Sequence, residues 1–241
     1  MTMFRSKEAL TELGAYDLAE RQADILTEFQ RRYPGMKDIS LTEELPQLQT
    51  ARPEIALAPL SPETRKLVEH MKDNGYAVYD TTGRTPASLK QEGMRYLVLS
   101  SELAERTASS ALLAFKSKPS EFFLPGSHNI PHEEQLKLLP EEQAKVEKQY
   151  SGMGLVVREG KVSEWTELAW KNFQETKVRI FGRDFGLKWT WADDYESDEP
   201  GASRAYVGLW HGADGLFVRL ANPDVVDPHL GLASMVEIPR K

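Results

Sequence analysis

Three groupings of side chains could do chemistry. His128 and His132 stand four apart and run into Glu133 and Glu134, a spacing at which two imidazoles on one helical turn share a metal. Asn129-Ile130-Pro131 separates them, and a proline starts a helix more readily than it sits inside one, so the pair reads as loop and helix-start residues. Asp193, Asp194, Glu196, Asp198 and Glu199 concentrate acid but lack the central glycine and terminal glutamate of a calcium loop, and read as a solvated loop over 193–200. Ser203, His211 and Asp214 contain the residue types of a serine–histidine–acid arrangement, without the G-x-S-x-G elbow that presents a nucleophile. No Walker loop or dinucleotide fingerprint is present. The sequence therefore predicts no metal, no cofactor and no catalytic residue. A hydrolase using His211 with Asp214 or Asp227 is the alternative, and a structural assembly protein is the third reading.

Composition sets the frame for these residues. At 241 residues, 40% hydrophobic and 28% charged, the chain can build an ordinary core. A net charge of −7 argues against a nucleic-acid or anionic-membrane partner. The absence of cysteine removes disulfides, zinc–thiolate sites and thiol nucleophiles. The N-terminus lacks the apolar stretch of a signal peptide, and no segment approaches the roughly 18 apolar residues of a membrane span. A cytoplasmic location is the default expectation.

The elements follow from periodicity and punctuation. Residues 6–32 read as helix, and 36–59, with three prolines, as an extended connector. Residues 1–60 are thus expected to form an N-terminal helical segment preceding a domain over 61–241. Ser61-Pro62-Glu63 starts a helix that Gly75 stops. Strands are expected at 76–79, 95–100, 111–115, 154–158 and 187–191, with a short helix from Thr85-Pro86. A polar helix runs from Pro131 to about Tyr150, interrupted or kinked by Pro140, and a helix capped by Ser163 carries Trp165, Leu168, Ala169 and Phe173 inward. Four short strands finish the chain. Helices dominate the first half and strands the second, which predicts an α+β fold.

The stretch from Tyr206 to His229 carries a sharper pattern. In the strand-like alternation after Gly215, Leu216, Val218 and Leu220 are apolar and should face the core. Phe217 and Arg219 should then face out, and an exposed phenylalanine beside an arginine is a typical binding pair. The five tryptophans all lie at or after Trp165; core filling is favoured over sugar-binding platforms, and Trp189 and Trp191 share a strand face.

Several blocks together resemble the variable proteins of diversity-generating retroelements. They are Gly75-Tyr76-Ala77-Val78-Tyr79-Asp80 with Thr82-Gly83; Phe122 to Ser127 with Glu133-Glu134-Gln135; Gly154 to Ala169; Thr176 to Thr190 around Phe181-Gly182; and Val207-Gly208 through Gly215-Leu216, Pro223-Asp224 and Pro239. The resemblance runs from about Ser61 to the C-terminus. It implies a C-type-lectin-like domain with short antiparallel strands and flanking helices, and a variable region at about 203–232. Its diversified, ligand-binding positions would be Tyr206, Leu209, His211, Phe217, Arg219, Val225, Asp227 and His229, recognising a protein or surface glycan. Randomising the adenines of an AAC codon cannot yield Glu, Lys, Gln, Met or Trp, and none of these positions holds one. A lectin-like fold does not by itself confer sugar binding.

Overall fold

The computed structural model describes residues 59–186, 188–197, 202–211 and 215–240, without the side chains of Asp184 and His211. The chain divides into two units, Met1–Glu54 and Ile55–Lys241, and every described residue belongs to the second. The helix expected over 6–32, and all of the connector except Pro59, lie outside the described residues.

In chain order the elements are α1 (Pro62–Asp73), β1 (Tyr76–Thr81), α2 (Pro86–Gln91), β2 (Tyr96–Leu99), α3 (Ser101–Ala104), β3 (Ala111–Lys116), α4 (Pro119–Phe122), α5 (His132–Leu136), α6 (Leu139–Gln149), β4 (Val156–Arg158) and α7 (Val162–Thr176). A 3-10 turn (Arg183–Phe185) leads to β5 (Trp189–Tyr195), β6 (Arg204–His211), β7 (Gly215–Ala221), β8 (Leu230–Gly231) and β9 (Met235–Ile238). The class is mixed α+β. Among the described residues, no helix is long and apolar enough to cross a membrane.

Local chemistry accounts for the starts of α1 and α2. The Ser61 hydroxyl accepts from Thr64 N at 3.2 Å, and the Thr85 hydroxyl from Ser88 N at 3.1 Å. Three expectations need correction. Helix α7 begins at Val162, and its buried Ser163 is not the cap; Val162 N donates to Asp194 Oδ2 at 2.6 Å and Lys161 N to Glu164 Oε2 at 2.7 Å. The acid stretch is not wholly a loop, since Asp193 to Tyr195 complete β5 and Asp194 is buried at that helix end. Pro140 does not kink a helix. It sits in the first turn of α6, where a missing N–H leaves no bond unmade, and the break falls before it at Lys137–Leu138.

Two sheets organise the domain. One has the order β1-β3-β9-β4 and is antiparallel throughout. The other has the order β2-β7-β6-β5-β8, antiparallel at its centre and parallel at both edges. On β3, Leu113 and Phe115 join a core with Trp165, Leu168 and Ala169 of α7, while Leu112 and Ala114 join a second core with Leu67, Met71 and Val146. Both faces of that strand are covered, which is why it reads as a continuous apolar run. Trp165 meets Phe122 and Phe181 edge to face, each at 5.7 Å. The edge strand β4 is closed by one side chain: Gln143 accepts from Val157 N at 2.7 Å and donates to Leu155 O at 3.0 Å.

Candidate binding face

The five-stranded sheet has a core side and an outer side. Leu216 and Val218 of β7 are fully buried in the core and Leu220 packs against it, as the alternation predicts. Ala205 and Val207 of β6 point the same way. The β6–β7 register then slips between Gly208 and His211, with Leu209 in the left-handed region at φ 47°, and Trp210 turns into the core. This bulge explains why an even position, Tyr206, and an odd one, Leu209, both stay out of the core. Arg219 is the cross-strand partner of Tyr206.

The expected exposure of Phe217 is overturned, because the residue is only 3% exposed although it lies on the outer side. Its neighbour across β6 is Gly208, and beyond Gly208 stands Trp189. With no side chain between them, the Trp189 and Phe217 rings meet at 5.4 Å and 84°. A Cβ on Gly208 would lie 2.5 Å from Trp189 Cα and press on the Lys188 carbonyl, so the close approach of β5 and β6 requires glycine. Tyr206 packs edge-on against both Trp189, at 5.2 Å, and Trp191, at 6.1 Å. Phe217 therefore supports the face under its aromatic cover and is not itself displayed.

The remaining positions arrive on the loop from β7 to β8. His132 rests its ring 5.3 Å from Trp191, and its backbone N–H donates to Pro223 O at 3.2 Å. Asn129 N donates to Asp227 O at 3.4 Å, and Trp189 N to His229 O at 2.9 Å. Asp227 Oδ1 accepts from His229 N at 2.6 Å, a local turn that Asp and Asn favour. Val225 and His229 are exposed, Asp227 is half-buried, and Val226, which the sequence reading passed over, is the most exposed of the four side chains' apolar members at 52%.

Beneath this face lies a charged cluster that sequence reasoning missed. Glu159 is buried between Arg204, which also reaches Asp193, and His132, whose Nε2 lies 2.7 Å from Glu159 Oε1. Arg204 also bonds the Tyr195 hydroxyl. The three residues come from separate segments, so no spacing in the chain could flag them. They are enclosed, and they fasten β6 to the start of α5 and the end of β4. His128 sits apart from His132, its ring 5.0 Å from Phe123. Burial lowers its pKa, and the nearby Lys188 and His229 add to that shift. Among the described residues, no group of three or more His, Asp or Glu side chains could hold a metal.

The His211 side chain and residues 212–214 lie outside what is described, and with them the hydrolase arrangement on His211 and Asp214. Ser203 is half-buried. No family model, curated protein or solved structure matches the chain.

Proposed function

We propose that this chain is a non-enzymatic ligand-binding protein with a C-type-lectin-like fold, and that its 203–232 region displays diversified residues, as its resemblance to retroelement variable proteins implies. The display set is Tyr206, Leu209, His211, Arg219, Val225, Asp227 and His229, with Phe217 reassigned to the support beneath it. The observation that carries this reading is the continuity of contacts: Arg219 lies across from Tyr206, Tyr206 against Trp189 and Trp191, and these in turn against the segments that hold Pro223, Asp227 and His229. This linkage supports a reading in which side chains of unrelated chemistry are displayed over a closely packed layer. Such a layer suits display, because ordering costs are met in folding and a small patch then binds usefully. The ligand is a protein or surface glycan, and aromatic rings beside mixed charges suit either.

The test is the DNA beside the gene. A near-copy of the segment encoding residues 206–229, differing only at adenines and lying near a reverse-transcriptase gene, is the expected finding. Its absence removes the diversification claim.

A further inference from the structure

A second feature lies where α7 ends and is independent of the display reading. The Arg179 guanidinium stacks 4.6 Å over the Phe173 ring and 5.9 Å from the Trp210 ring. Lys177 brings its ammonium 5.8 Å from the same Phe173 ring. Two cations therefore converge on one aromatic side chain in a protein of net charge −7.

The loop that carries them is fixed. Asn172 Nδ2 donates to Val178 O at 2.8 Å, and Val178 N donates to Thr176 Oγ1 at 3.1 Å. Gly182 N closes the turn on Arg179 O at 2.9 Å, and Trp210 N ties the next residues to β6 through Phe181 O at 2.9 Å. Arg179 is held in place, yet its guanidinium has no hydrogen bond or ion pair among the described residues, and its Nε is buried without a partner. Glu175, the acid closest in sequence, interacts with the Tyr79 hydroxyl. The carbonyl end of α7 favours a cation nearby, and Lys177 uses it by donating to Gln174 O at 2.9 Å. That accounts for Lys177 and leaves the planar donor fork of Arg179 unfilled.

We propose that Arg179, aided by Lys177, is an oxyanion-binding site in which the guanidinium pairs with a carboxylate or phosphate group of a ligand. A guanidinium fork matches two oxygens of either group, and the rings behind it hold its plane and exclude water from one side. The two sources share this chemistry and differ in charge, so affinity separates them.

The test follows thermal unfolding and tryptophan fluorescence of the full chain during titration with sodium phosphate, sodium acetate or sodium chloride at constant ionic strength. A saturable rise in Tm with phosphate or acetate, beyond that in chloride, is expected. The anion that saturates at lower concentration identifies the ligand group. Arg179→Met, which keeps the packing over Phe173, removes the saturable response. Lys177→Gln, at an exposed position, weakens it several-fold and covers the case in which the Arg179 variant does not fold. A response equal to that in chloride, or unchanged in both variants, overturns the proposal.

Discussion

Replacing Phe217 by alanine separates two pictures of the outer face. If the ring were exposed, as simple alternation predicts, truncation would change stability by no more than about 0.5 kcal/mol. The ring is instead 3% exposed and stands edge-on to Trp189 across Gly208. A buried phenylalanine truncated to alanine costs about 3–5 kcal/mol, from lost transfer energy and the cavity left behind. Trp189 is itself half-buried and closes only one side, so the surroundings can collapse in part and the lower end, about 3 kcal/mol, is expected. The edge-to-face geometry adds a specific coupling of about 0.5–1.5 kcal/mol, measurable in a double-mutant cycle with Trp189→Ala. The assay is equilibrium unfolding in urea, with wild type, both single variants and the double variant compared at equal m-value. Val225→Ala and His229→Ala serve as controls and stay within about 0.5 kcal/mol of wild type. A loss below about 1 kcal/mol for Phe217→Ala would refute the argument that Gly208 lets the two rings bury each other.

Other consequences follow from the same contacts. Gln143→Ala removes both bonds to the β4 edge and costs about 1–3 kcal/mol, with faster amide exchange at Val157 as its signature. Arg204→Met leaves the buried Glu159 carboxylate with His132 alone and costs about 3–5 kcal/mol by chemical denaturation. Burial raises the Asp194 pKa above its ordinary 3.8, against the opposing bond from Val162 N. A raised acid stabilises the fold below its unfolded pKa, and that contribution is lost as pH rises through its folded value. Asp194→Asn, which keeps an acceptor for Val162 N, is therefore expected to gain stability relative to wild type as pH rises from below 3.8 to neutrality, as denaturation at several pH values would measure. Asp194→Ala loses the acceptor and costs about 1 kcal/mol at neutral pH.

Local signals were legible in the chain wherever one residue type acts on its own neighbours. Ser61 and Thr85 cap because a hydroxyl reaches the backbone three residues on, and the inward set Leu216 and Val218 follows from strand alternation alone. The start of α7 is not legible locally, for the opposite reason. Its acceptor, Asp194, lies 32 residues away, so the local pattern points to Ser163 as the cap and to Asp194 as a loop acid.

The candidate face divides along the same line. The apolar rhythm of β7 sufficed to place Arg219 on the outer side of the sheet, because alternation depends only on the pleat of one strand. Whether an outer residue meets solvent depends on what stands across the sheet, and that is tertiary. Gly208 admits Trp189 over Phe217; the bulge at Leu209 keeps that residue out of the core while Trp210 enters it; and Glu159, Arg204 and His132 meet only because three distant segments fold together. Arg179 shows the same rule at the end of α7, where its partner rings come from a helix and a strand and its lack of an ion pair among the described residues is visible only once the neighbours are in place. The sequence by itself determined the α+β class, most element boundaries and the inner face, since these rest on hydrogen bonds and burial patterns within short spans. Which outer side chains are exposed, braced or without a partner among the described residues was decided by packing between segments far apart in the chain.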